Sequence, residues 1–475
     1  MVHLSVRSRY RLMLLAVATL LICALLPDAW LSSSATSLIQ WTNDNPFSGR
    51  ISRWMAQNWP SVQAQVPLEF TDWGRDLSVW ENPDVIPREK VYKPPPKPVL
   101  PVADPFPLLS QNPPPGPSLL RAPKANRPPR RHYPEQTPLF VGFTRNWPQL
   151  LQCVVSYIAA GWPPEDIHVV ENTGVMHANR EGKLTLQNPF YLNHTQLAML
   201  GVDVITTPTL LTFAQLQNFY LWTALDRAQP HYFWTHQDLV VFSHENLTTP
   251  GGASSSLYTN AVTTLRHLTT SSPPKKWAHH FFAYDHLTLV NRDAVLSIGG
   301  WDTHIPFYAS DCDAYLRLLW AGFSQTESKI GIILDVGSVM ADVGALLRIP
   351  GVRARLPGDR IVQKEGDGGY TETWERLVAL GERMQRAKYV EGNALRNTWQ
   401  VKQKGGQGEP FYRDADGFET GVKMMIDVGR SVFAEKWGHR GCDLVRTGAR
   451  GEDAWRLERD WDEETEGLGF EGESW

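Results

Sequence analysis

The chain is short of cysteine and carries no large excess of either charge. Only four cysteines, Cys23, Cys153, Cys312 and Cys442, serve 475 residues. None stands in a close CxxC pair, which excludes a cysteine-based zinc module. Cys23 falls inside an apolar run, so the three others allow at most one disulfide, with one thiol left over; their pairing is open. The net charge is only −4, from 46 basic and 50 acidic residues, and gives no support for a nucleic-acid partner, which calls for a basic face. Hydrophobic content of 42% and charged content of 20% are ordinary for a globular chain. The length allows one large domain with appendages, or two domains.

The N-terminus says more. Arg7, Arg9 and Arg11 precede an apolar run from Leu12 to Leu26, closed by Pro27 and Asp28. The run is shorter than the roughly 20 residues that span a bilayer, so cleavage as a signal peptide is one outcome. Ala29, Trp30 and Leu31 extend it, and no small-x-small site follows directly, which favours an uncleaved anchor. The expected layout is a basic cytoplasmic segment (1–11), a signal anchor (12–31) and a chain that faces a secretory lumen, in single-pass type II form in the Golgi or ER membrane. Two sequons, Asn193-His194-Thr195 and Asn246-Leu247-Thr248, fit that address. Proline crowds residues 32–135, as in Pro94-Pro95-Pro96 and Pro113-Pro114-Pro115, and predicts an extended stem. The acidic, glycine-bearing end (446–475) predicts a disordered tail.

Between them, residues 136–445 alternate strand and helix signals. Leu139–Thr144, Ile167–Val170, Val202–Ile205 and Tyr232–Phe242 read as strands, the last broken by His236-Gln237-Asp238. Asn146 offers a helix cap before Leu150, Leu151, Val154, Val155 and Ile158 at helical spacing; Thr212 and Gln215 make a capping box. Strand material at Trp277–Val290 and Ile330–Val336, and helices near Tyr258–Leu268, Asp311–Trp320, Trp374–Tyr389 and Phe418–Phe433, complete the pattern. Such alternation predicts an α/β fold with a mainly parallel sheet flanked by helices, whose ligands sit beyond the carboxyl ends of the strands.

The most specific motif is Gly299-Gly300-Trp301-Asp302, followed by Tyr308-Ala309-Ser310-Asp311-Cys312-Asp313, Arg317 and Ala321-Gly322-Phe323. Two glycines let a backbone approach a ligand closely. The next helix presents Asp311 at its positive N-terminus, where the carboxylate stays ionised and available as a base. Asp313 has structural roles open to it, a capping box with Ser310 and an i,i+4 pair with Arg317.

This segment is similar to the acceptor-side motif of inverting glycosyltransferases of the family 2-like group. There a Gly-Gly-aromatic-Asp run leads to Tyr-x-Glu-Asp-x-Asp, an Arg and an Ala-Gly-aromatic end; here Ser310 stands where that Glu is usual. The resemblance implies a GT-A, Rossmann-like fold and a sugar transfer from a nucleotide-sugar donor to a hydroxyl of a glycan, glycoprotein or glycolipid. It implies that Asp311 is the general base, with Asp313 beside it. It places His236 and Asp238 where an Asp-x-Asp motif holds a divalent ion such as Mn²⁺, with His439 as a further ligand. Glu171 and Asn172, which end the second strand, would read the base or ribose; Arg145, Gln237, Gly299, Gly300, Trp301 and Asp302 complete the donor site. His279-His280 and Asp285-His286 invite a metal reading, but adjacent strand residues face opposite sides, so the histidines are core and rim. A glycoside hydrolase would also use two carboxylates, without the early nucleotide site. A non-catalytic lumenal binding protein would keep the fold without the base.

Overall fold

The structure, a computed structural model, describes residues 89–94, 99–246, 256–271, 276–360, 369–391, 403–409 and 414–461. The segments expected as cytoplasmic (1–11) and as anchor (12–31) lie outside the described residues. Among the described residues no helix is long and apolar enough to cross a membrane. The chain divides into Met1–Pro95 and Pro96–Trp475, and the second unit carries all that follows.

Its framework is a seven-stranded sheet in the order β3-β2-β1-β4-β7-β6-β8. The strands are β1 (Leu139–Phe143), β2 (Ile167–Glu171), β3 (Asp203–Thr206), β4 (His231–Thr235), β6 (Trp277–Phe281), β7 (Leu287–Asn291) and β8 (Ser324–Glu327). Neighbours pair in parallel except at β7, which runs against both β4 and β6. The near-continuous burial of β1, β2 and β4 is what a strand covered on both faces requires. On one face Leu139, Val141 and Phe143 pack with Leu150, Leu151 and Val154 of helix α1 (Trp147–Ala159). On the other, Phe140 packs with Tyr220 and Leu221 of α2 (Phe213–Asp226). Gly142 lets α2 come close, since a Cβ there would collide with Tyr220 and Leu216. The expected α/β fold, a mainly parallel sheet flanked by helices, is the architecture observed.

Local signals explain the helix starts. The Asn146 side chain accepts from the Gln149 amide at 3.3 Å, and α2 opens on the Thr212/Gln215 capping box. The expected fourth strand, Tyr232–Phe242, is two strands. After Thr235 the chain leaves the main sheet, and β5 (Leu239–Phe242) pairs antiparallel with β9 (Ile332–Asp335) in a second, two-stranded sheet. His236-Gln237-Asp238 is the crossing between the two.

Both ends of the unit differ from expectation. The described part of the proline-rich stretch is not all spacer: Phe106, Leu109 and Leu120 are buried in the main core, and three 3₁₀ turns carry the chain over it. Proline blocks helices and ladders, yet it does not prevent irregular chain from packing where apolar residues fall between the prolines. At the other end, residues 446–461 are folded: the Trp455 amide donates to the Lys436 carbonyl at 2.7 Å, and Asp460 meets His439. The sequons also differ. Asn193 caps the short helix His194–Met199 through the Gln196 amide and donates to Tyr191 Oη, whereas Asn246 is exposed on a turn.

Cys312, on α4 (Ser310–Trp320), is joined to Cys442, which follows α6 (Ala415–Trp437); their Cα atoms are 5.7 Å apart. Cys153 is the free thiol, buried in α1. Between these helices lie α3 (Leu257–Thr270), which covers the main core, and α5 (Trp374–Arg386), which packs on β9. Because the bridge ties α4 to the segment after α6 across a separation of 130 residues, Cys442→Ser should cost about 2–5 kcal/mol. Urea unfolding with and without reductant measures this; an unchanged midpoint in both would show that the bridge carries no stability.

Candidate functional site

In the sheet β1 lies between β2 and β4, and the segments that leave β1 and β4 meet at the carboxyl edge, where α/β proteins bind ligands. Gln237 stitches the two segments, donating from Nε2 to the Arg145 carbonyl at 2.7 Å. Arg145 itself is buried, with its guanidinium on Glu419 and over the Phe418 ring, both of α6. Glu171 is wholly buried and accepts from Asn179 (2.7 Å), Thr173 (3.2 Å) and His194 (2.9 Å). Asn172 clasps Leu211, accepting from its amide at 2.7 Å and donating to its carbonyl at 2.8 Å. These residues reach the expected edge, but Glu171 and Asn172 spend their side chains on the chain's own groups.

At the crossing from β4 to β5 the side chains part. The His236 ring stacks on Phe213 and edges Trp234, with Nε2 3.7 Å from the Asp285 carboxylate. Burial pulls its pKa down, but the carboxylates of Asp285, Asp238 and Asp335 outweigh it and raise the value. Asp238 and Asp335 are both buried and both hold the ammonium of Lys388. His439 is elsewhere engaged: its Nε2 meets Asp443 at 3.0 Å and its Nδ1 meets Asp460. Among the described residues no group of three or more His, Cys, Asp or Glu side chains is placed to hold a metal. The expected set His236, Asp238 and His439 therefore does not fit a divalent ion. One member lies on Asp285, one on a lysine, and one between two other acids.

The Gly-Gly-Trp-Asp loop is explained from within. Gly299 and Gly300 have φ of 78° and 77°, the left-handed region that suits glycine. Asn218 of α2 accepts from the Trp301 amide at 2.8 Å and donates to its carbonyl at 2.9 Å. A Cβ on Gly300 would stand 2.6 Å from that Asn218 oxygen, so the close approach is to the protein's own amide. Trp301 is buried against Phe213 and Tyr315. Asp302 meets Lys436 at 2.7 Å; burial opposes ionisation, but Lys436 and His304 hold its carboxyl down to about 2.

Helix α4 separates its two acids. Asp311 sits half-buried in the first turn. Asp313, expected beside it in catalysis, is wholly buried: it pairs with Arg317 Nε at 2.7 Å and Lys436 Nζ at 2.6 Å, and accepts from Trp437 Nε1 at 3.1 Å. A carboxylate so enclosed cannot meet a substrate. The Ser310–Asp313 capping box does not form either. Ala309 takes φ 71° and starts the helix a residue early, so Ser310 lies inside it and donates to the Phe307 carbonyl.

What the fold does assemble is a contiguous acidic and aromatic patch. Asp285, on the β6–β7 turn, faces His236. The Tyr315 hydroxyl of α4 is buried, and burial together with the charges of Asp285 and Asp311 drives its pKa well up. Phe213, Trp234, Trp301 and Tyr315 link these groups ring to ring. His279 and His280 are both buried, with burial pushing both rings down to about 4, so neither is the rim residue expected. Tyr315, Asp335, Lys388 and Lys436 escape sequence reasoning because no spacing rule links them to their partners; Asp285 is visible only as a neighbour of His286.

No protein-family model matches the chain, and no curated protein does. Among solved structures it is similar to mannosyltransferase PcManGT from Pyrobaculum calidifontis in complex with GDP-Man and Mn²⁺, at 12% identity and a TM-score of 0.28, over 45% of this chain and 59% of that one. It is also similar to a cytidylyltransferase from Leptospira borgpetersenii serovar Hardjo-bovis, at 10% identity and a TM-score of 0.26, over 41% of this chain and 76% of that one. The first likeness spans less than two thirds of the mannosyltransferase. Likenesses of this degree carry no argument about activity, which rests on the site's own geometry.

Lys436 serves Asp302 and Asp313 together, so Lys436→Met should cost about 3–5 kcal/mol, the usual loss when a buried pair is broken from one side. The Asp302 pKa is depressed, so its share of stability is present above about pH 4 and fades as pH falls towards 2. The variant should lose that acid-side slope. Denaturant melts from pH 2 to 7 check both; a variant as stable as wild type with the same slope would refute the shared role.

Proposed function

We propose that the chain is a glycosyltransferase that moves a sugar from a nucleotide-sugar donor to a hydroxyl of a glycan, glycoprotein or glycolipid acceptor, with inversion. The observation that supports it best is the patch in which Asp285 faces His236 and the rings of Trp234, Phe213, Trp301 and Tyr315 run from there to α4, the helix that carries Asp311. It joins the crossing after β4 to the first turn of α4, the two segments that carry the resemblance. In this reading Asp311 takes the proton of the acceptor hydroxyl as its oxygen bonds to the anomeric carbon. The bond to the nucleoside diphosphate breaks, and the leaving group keeps the electron pair.

The hydrolase reading loses Asp313 as one of its two acids, since that carboxylate is sealed by Arg317, Lys436 and Trp437. We further place the unit in the secretory lumen of the Golgi or ER behind an anchor at residues 12–31. The basic flank and apolar run favour this, as does the Cys312–Cys442 bridge, a bond that persists in oxidising compartments.

Asp311→Asn should lower turnover about 10²- to 10⁴-fold, the usual share of a positioned base, and leave donor affinity and melting temperature near wild type. The measurement is a calorimetric screen of the purified chain against nucleotide sugars, followed by transfer assays on wild type and variant. Wild-type turnover by Asp311→Asn would reject the base, and binding of no nucleotide sugar would reject the reading. Donor binding without transfer would favour a lumenal binding protein.

A further inference from the structure

We infer that Lys388 is the resident cation of the Asp238–Asp335 pair, so that these two acids take no divalent ion. The inference rests on the transferase reading only for the expectation of a metal at Asp238. The pair is built by strand pairing: Leu239 of β5 lies opposite Asp335 of β9, and the Val336 amide donates to the Asp238 carbonyl at 2.8 Å. Two buried carboxylates side by side repel each other and need a positive partner. The ammonium of Lys388 supplies it, 2.7 Å from Asp238 Oδ2 and in contact with Asp335 Oδ1. The Tyr389 hydroxyl donates to the other Asp335 oxygen at 2.6 Å, so both oxygens of Asp335 are taken.

Lys388 is not a surface side chain resting there by chance. It is 5% exposed and sits on the π-helical turn Ala387–Glu391, which continues α5. That helix is pressed onto β9 closely enough that a Cβ on Gly381 would stand 2.7 Å from Leu334. A divalent ion prefers oxygen ligands, and to reach these it must first expel a buried ammonium. The ligand expected beside Asp238 is turned away, because His236 Nε2 lies towards Asp285. The pair with its lysine keeps one net negative charge, so the cation neutralises the acids in part and closes them.

The test uses the full-length chain and Mn²⁺ alone, with uptake read from the loss of the free-ion EPR signal and from the melting temperature. Wild type should show no uptake that depends on Asp238. Lys388→Ala and Lys388→Met should each gain one bound Mn²⁺ per chain, lost again when Asp335→Asn is added, while Lys388→Arg should behave as wild type. Uptake by wild type that Asp238→Asn removes would overturn the inference. So would a folded Lys388→Ala chain that still takes no Mn²⁺. Should the Lys388 variants fail to fold, the comparison of wild type with Asp238→Asn still decides. No donor is present, so failure here and failure to bind a nucleotide sugar are separate results.

Discussion

The burial of Asp313 is the constraint on which the region around the first turn of α4 depends. A carboxylate with no solvent exposure has to be answered by donors, and the answer comes from two helices at once: Arg317 of α4, and Lys436 and Trp437 of α6. Each partner does a second job. Arg317 also holds the Ile298 and Gly300 carbonyls at 2.8 and 2.9 Å, and Lys436 also holds Asp302. One buried charge thus fixes the double-glycine loop, the start of α4 and the end of α6 relative to one another. Asp311, two residues away, inherits a rigid mount without itself being enclosed.

The segment that leaves β4 follows a different logic. There the organising event is the departure of the chain from the main sheet after Thr235 and its capture by β9. A strand that continued straight would have buried Asp238 in the main sheet among apolar neighbours. The change of sheet instead places it beside Asp335, within reach of Lys388, and leaves His236 on the aromatic side with Phe213 and Asp285. The crossing at the sheet's carboxyl edge and the charged pair are products of the same break.

Features set by neighbours in sequence were legible in advance. The Asn146 cap, the Thr212–Gln215 box and the Asp313–Arg317 pair involve residues three or four apart, and all three are present. The alternation of strand and helix was enough to indicate the sheet, because strands buried on both faces read as apolar runs. The roles of acids were less legible. An acid at a strand end or helix start looks the same in sequence whether it faces a ligand or a lysine 150 residues away, as Asp238 does. Glu171 shows the same limit, since its His194 partner comes from a helix that periodicity did not reveal. The proline-rich stretch was misread for a further reason: composition records how many prolines there are, whereas packing depends on the few apolar residues between them, such as Phe106 and Leu120.

The crosslink between Cys312 and Cys442 has a consequence for the order in which the molecule is made. Three groups that steady the first turn of α4 from outside that helix, Lys436, Trp437 and Cys442, are encoded about 100 residues after the end of β9. A ribosome adding about 5–20 residues per second delivers them seconds after the central strands have emerged. Until then Asp313 has Arg317 as its partner from its own helix, and Cys312 waits unpaired. Both sheets are complete by Asp335, but the first turn of α4 sets only once α6 has emerged, and a chain that ended before α6 would leave it unset.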